Sequence, residues 1–142
     1  MSRDPNKLRV FHDAHSLTLA IYKHTRNFPS VETYGLRQQI RRAAASVPIN
    51  IVEGCARTST KDCCRFLSIA LGSACETAYI VGLALELGFI TRDTADALQP
   101  ACNAVVRQLQ RLVSETEILA LQDASRAPRR APLPRHGGSA GP

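Results

Sequence analysis

Six basic residues, Arg37, Arg41, Arg42, Arg57, Lys61 and Arg65, occupy one short stretch of the chain, where Glu53 and Asp62 are the only opposing charges, for a local balance of +4. Such a cluster suits a polyanion. Phosphates displace counterions from their own backbone as they meet Lys and Arg, and no base reading is needed. The competing expectation is a solvated face, with Arg42 pairing Glu53 or Glu76 at an interface. In the linear sequence no aromatic residue interleaves these charges, so the expected mode is phosphate contact without base stacking.

A second set, Ser46, Asn50, Glu53, Ser73 and Glu76, could supply a carboxylate pair for acid–base or metal chemistry. Di-metal bundles, however, use Glu-x-x-His pairs, and neither glutamate here has a His three residues on. A structural hydrogen-bond network at Pro48 or between subunits is the expectation, because a proline in a helix frees a carbonyl. His12 and His15 share a helix face but have no third ligand at a defined position. Cys63 and Cys64 sit at a helix start near Lys61 and Arg65, and are read as small packing residues rather than activated thiols. No GxSxG, phosphate-binding loop or CxxC pair is present. No catalytic residue, metal or cofactor is expected, and the protein is read as non-enzymatic.

Helices must position these groups. Strand-type alternation is nearly absent, whereas three-and-four spacing recurs in four segments. The first carries Val10, Ala14, Leu17, Ile21, His24 and Phe28 and ends at Pro29–Ser30. The second starts near Ser30, with Glu32 in its first turn, and carries Leu36, Ile40, Ala43, Val47 and Ile51, with Pro48 as a kink and Gly54 as a stop. The third is capped within Thr58–Thr60 and ends at Gly88. The fourth carries Leu98, Ala101, Val105, Leu109, Leu112, Thr116 and Leu119, with Pro100 either kinking it or opening its main segment. Short connections imply an antiparallel up-and-down four-helix bundle.

The third helix sets the assembly expectation. From Phe66 to Leu85 its only charge is Glu76. A membrane span is disfavoured, since a central carboxylate costs roughly 2.5 to 3.5 kcal/mol and Ser68, Gly72, Ser73 and Thr77 dilute the hydrophobicity. With Phe66, Ile69, Ser73, Ile80 and Leu87 assigned to the bundle core, Ala70, Ala74, Ala78 and Gly82 become a small-residue stripe open to a second copy. The expectation is a homo-oligomer.

The chain has 142 residues and a net charge of +6, of which half lies in residues 1–122 and half in the Arg- and Pro-rich stretch from Asp123. That length suits one domain. The expected organisation is an extension at 1–9, the bundle at 10–122 and a disordered basic tail at 123–142. Five cysteines, an odd number, with no leader pattern, fit free thiols in a reducing cytoplasm.

Residue order then becomes more specific than periodicity. Gly35-Leu36, Gln39-Ile40-Arg41-Arg42-Ala43, Ser46-Val47-Pro48, Asn50-Ile51, Glu53-Gly54, Arg57, Arg65-Phe66-Leu67, Ile69-Ala70, Gly72-Ser73 and Glu76 closely resemble the four-helix bundle family named for proteins encoded in intervening sequences of bacterial 23S ribosomal RNA genes. Ala20-Ile21-Tyr22, Phe28-Pro29 and Leu87-Gly88-Phe89-Ile90 match the same family, so the resemblance spans about residues 10 to 120. It implies a bundle assembling into a ring, commonly a pentamer. It also implies kinship with the accessory proteins of diversity-generating retroelements, basic bundles that work with a reverse transcriptase and its RNA. Cys63-Cys64 and the Arg-Pro tail depart from the family pattern. The reading is a basic oligomeric scaffold for RNA or a nucleoprotein partner, against a purely structural module that assembles with protein.

Overall fold

The computed structural model describes residues 3–33, 35–128 and 141. Its regular elements are helical: α1 (Arg9–His24), α2 (Leu36–Cys55), α3 (Thr60–Glu86) and α4 (Arg92–Arg126), with short 3-10 turns at Pro5–Lys7 and Ser30–Glu32. Each helix packs against its two neighbours in a closed cycle, α1 on α2 and α4, and α3 on α2 and α4. Partner order reverses along the two seams that α3 makes. Along α2, Gln39 meets Glu76, Ser46 meets Ser73 and Gly54 meets Cys63. Along α4, Gln99 meets Ala78, Val113 meets Cys64 and Asp123 meets Thr60.

The core is one cluster fed by all four helices. Val10, Ala14, Leu17 and Ile21 come from α1, Ile40, Ala44, Val47 and Ile51 from α2, and Leu98, Cys102, Val105, Leu109 and Val113 from α4. Thr25 replaces His24 on the α1 stripe, and α1 stops at His24, four residues before the expected end. The Thr25 hydroxyl donates to Ile21 O at 2.8 Å, beside the Thr25 backbone N–H that bonds the same carbonyl at 3.1 Å, so this buried side chain is satisfied within the last turn. Phe28, beyond the helix, is buried and packs its ring 5.3 Å from that of Phe89.

Helix ends follow local chemistry. Glu32, expected inside the first turn of α2, lies in the preceding 3-10 turn and accepts from Leu36 N at 2.7 Å, capping α2 from outside. Ser59 caps α3 by accepting from Asp62 N, and Thr91 caps α4 by accepting from Thr94 N. Gly88, at φ 75°, closes α3: its N–H bonds Leu85 O at 3.0 Å and the N–H of Phe89 bonds Ala84 O at 2.8 Å. Only glycine takes that left-handed conformation without steric cost.

Two prolines lie inside helices without ending them. Pro48 cannot donate to the Ala44 carbonyl one turn back. Thr18 of α1 offers a donor in its place, its one hydroxyl proton shared between Ala44 O at 3.0 Å and Ala14 O at 2.9 Å. Pro100 lies in the third turn of a single α4, rather than opening it. Gly54 is not a stop either. It is buried, and a Cβ there would lie 3.3 Å from both Cys63 O and Phe66 Cβ, so glycine allows α2 and α3 to cross closely.

On α3 the core face is Cys63, Cys64, Leu67, Ala70, Ala74, Thr77, Ile80, Val81 and Ala84. This corrects the expected division of the helix. Ala70 and Ala74 are fully buried within the chain and cannot meet a second copy, while Ala78 and Gly82 are half-buried beside α4. The reason is geometric: at 3.6 residues per turn, a stripe spaced four apart drifts around the helix, so it cannot hold one face. Ile69 and Leu87, expected in the core, are exposed, and Phe66 and Ser73 turn toward α2. By length and composition α3 could cross a membrane, with a mean hydropathy of 1.5 over its most apolar window, and only 33% of that window is buried in the chain.

α4 runs four residues past the expected bundle boundary to Arg126, and Asp123 accepts from Thr60 Oγ1 at 2.8 Å. The rest of the expected tail lies outside the described residues, apart from 127, 128 and 141.

Candidate nucleic-acid interface

The six basic residues do not form one patch. α2 separates them into two groups, because about 20 residues at 1.5 Å per residue hold Arg37 and Arg57 roughly 30 Å apart. At the N-terminal end of α2, Arg37, Arg41 and Arg42 line a pocket of about 350 Å³ with Tyr22, Thr33 and Gln38. No described carboxylate lines it.

Within that pocket the arginines differ. Arg41 Nε donates to Thr25 Oγ1 at 2.8 Å and Nη2 to Tyr22 O at 3.2 Å, with Cζ 4.7 Å from the Tyr22 ring centroid. Arg37 Nη2 donates to Phe28 O at 2.8 Å, and its buried Nε finds no partner among the described residues. Both are half-buried rather than on a solvated flank, and Arg41, on the Tyr22 carbonyl, meets the negative end of α1. Arg42 is exposed.

The other group surrounds the α2–α3 turn. Arg57 Cζ lies 4.6 Å and Arg65 Cζ 4.7 Å from the centroid of the Phe66 ring. Arg57 Nε donates to Glu53 O at 3.3 Å, and Arg3, absent from the expected set, donates to Arg57 O at 3.2 Å. Aromatic rings therefore do interleave the charges, contrary to the expectation from the linear sequence. Tyr22 reaches Arg41 from another helix, and Phe66 reaches Arg57 across a turn; only the adjacent pair Arg65–Phe66 was a local signal.

The polar set is only partly assembled. Asn50 Nδ2 donates to Ser46 O at 2.8 Å and to Ser46 Oγ at 2.9 Å, and Ser73 Oγ donates to Ser46 Oγ at 2.9 Å. This chain ties α2 to α3; the carbonyl freed by Pro48 meets the Thr18 hydroxyl instead. Glu76 accepts from Gln39 Nε2 at 3.2 Å in a polar groove of about 510 Å³ that also holds Arg42, Ser46 and Ser73. Glu53 is exposed and outside the network, so the two glutamates are not a working pair. Arg42 forms no ion pair with either, the described pair being Arg9–Asp13 at 3.4 Å.

Among the described residues no three His, Cys, Asp or Glu side chains converge as metal ligands. His12 Nε2 lies 2.7 Å from Asn6 O, and His15 stacks on Phe11. All five thiols are free, and Cys75 alone is exposed. Burial pushes the Cys55, Cys63 and Cys64 thiols up, against the lowering effect of Arg3 on the first two, and pushes Cys102 up to about 11.

The family model for 23S rRNA-intervening sequence proteins matches residues 6–111, a span that contains both basic groups and the Ser46–Ser73 tie. The chain belongs to this family. A crystal structure of a protein of unknown function from the S23 ribosomal protein family of Bacteroides thetaiotaomicron superposes with a TM-score of 0.66 at 25% identity, covering 73% of this chain and 97% of the other. No curated protein matches the chain. Family membership places Arg37, Arg41, Arg42, Arg57, Lys61 and Arg65 inside the shared bundle and leaves residues beyond 111 outside the family match.

Proposed function

We propose that this 23S rRNA-intervening sequence protein is a non-enzymatic, oligomeric scaffold that binds RNA through its basic surface. The observation that carries the reading is the pocket where Arg37, Arg41 and Arg42 converge with Tyr22 and Thr33 and no described carboxylate intrudes. Guanidiniums already oriented by carbonyls lose little freedom on meeting a phosphate, and their remaining N–H groups suit its oxygens. The fold completing the proposal is an antiparallel up-and-down bundle, supported by the reversed partner order along α2–α3 and α3–α4.

Assembly multiplies the weak patch. α3 leaves Ile69, Gly72 and Tyr79 exposed around Glu76, and α2 leaves Ile49 and Val52 exposed, which offers apolar side chains to a second copy. A closed ring, a pentamer by family resemblance, would display several pockets at fixed spacing and bind by avidity. A cytoplasmic location away from membranes and a nucleoprotein partner, such as a reverse transcriptase of a diversity-generating retroelement, belong to the same proposal. The second reading, a purely structural module, draws on those same apolar side chains.

A salt titration of RNA binding separates them. Each phosphate contact contributes about 0.7 to 0.9 to the slope of log affinity against log salt. Arg42→Glu, at an exposed position, should weaken binding and flatten the slope. Absence of binding at low salt by the assembled wild-type protein would leave the structural module.

A further inference from the structure

The α2–α3 turn holds a feature that phosphate binding alone does not use. Two guanidiniums lie against one ring, with Arg57 Cζ at 4.6 Å and Arg65 Cζ at 4.7 Å from the Phe66 centroid. Like charges brought together this way repel, and neither forms an ion pair with a described carboxylate. The ring quadrupole offsets part of that repulsion. Asp62 and Glu53 are nearby in sequence, but Glu53 meets Arg57 through its backbone carbonyl. Asp123 accepts from the Thr60 hydroxyl.

We infer that the Arg57–Phe66–Arg65 unit is a stacking site for an unpaired base of single-stranded nucleic acid. This deepens the proposed RNA-binding reading and rests on it. A guanidinium is planar, weakly hydrated and able to stack on a base, while its N–H edges stay available to the adjoining phosphate. Phe66 is half-buried, its Cβ held against Gly54, and Arg57 is tethered through Nε, so the platform is set before a ligand arrives. Bases in a duplex are already stacked on one another, whereas bases in loops and ends are free to move onto such a platform. Arg3, bonded to Arg57 O at 3.2 Å, and exposed Lys61 add positive charge beside it.

The test compares two single-stranded oligonucleotides of equal length and charge, a uridine homopolymer and its abasic counterpart, by fluorescence anisotropy in low salt. The wild-type protein should bind the base-containing strand about tenfold more tightly, the low end of what one stacked base contributes, here through a guanidinium backed by Phe66. Arg65→Lys keeps the charge at an exposed position but loses the planar guanidinium, and should bring the ratio of base-containing to abasic affinity close to one, whatever its effect on affinity for both strands together. Phe66→Leu should do the same, with a thermal melt establishing that it folds. Equal binding of both strands by wild type, or an unaltered preference in Arg65→Lys, overturns the stacking site while the basic-surface reading stands. If neither strand binds the wild-type protein, both readings fall.

Discussion

At the scale of single residues, the thiols give two checks on the packing. Cys75 is the exposed one of five, so a thiol reagent should label one cysteine per native chain quickly and the other four only on unfolding. Fast labelling of two or more would contradict the buried positions of Cys55, Cys63, Cys64 and Cys102. Burial pushes Cys102 up from 9.0 to about 11, so the folded chain holds a proton there that the unfolded chain releases. Its stabilising contribution is complete below pH 9.0 and is lost as pH rises toward about 11. Urea denaturation at about pH 8 and about pH 10.5 should show a smaller loss of stability in Cys102→Ala than in wild type. Equal losses would remove this group from the alkaline transition. Residue types announced the free thiols, but the direction of their titration depends on burial, which spacing near Lys61 and Arg65 does not give.

At the scale of helices, the tolerance of Pro48 depends on one hydroxyl from another element. Thr18→Val keeps the shape of the side chain and deprives Ala44 O of its donor, and should cost about 1 to 3 kcal/mol in denaturant unfolding. The same substitution combined with Pro48→Ala should cost less, because an alanine N–H restores the donor along α2. Equal costs in the two backgrounds would show that Thr18 acts otherwise. Helix number, the α2 stripe and the Ser59 and Gly88 boundaries were legible in the sequence because capping and periodicity are local. The partner of Ala44 was not, since it lies 26 residues away on α1. The same limit applies to Arg37 and Arg41: their spacing on α2 is plain, but their bonds to Tyr22 O and Phe28 O need the end of α1 in place.

At the scale of the molecule, α3 was legible as the apolar centre, but its faces were not. Four-residue spacing suggested a docking stripe at Ala70, Ala74, Ala78 and Gly82, whereas the packing register sends Ala70 and Ala74 inward. The outward positions include Ile69, Gly72 and Tyr79. Gly72 distinguishes a free surface from a seam, because a Cβ there meets nothing within 4 Å inside the chain. On a free helix face Gly72→Ala should stabilise the chain by roughly 0.5 to 1 kcal/mol through backbone entropy alone. On a seam between copies the same methyl group would crowd the approaching helix, and Tyr79→Glu would place a charge in it. The expected result is a loss of mass by light scattering in both variants, with helical content retained and the Gly72→Ala protomer no less stable toward urea. Wild-type protein that scatters as a monomer, or variants that keep the wild-type mass, would return this face to solvent and leave each chain with a single copy of its basic pocket. RNA affinity should fall with the mass if avidity operates, whereas an affinity independent of assembly would place binding within one chain.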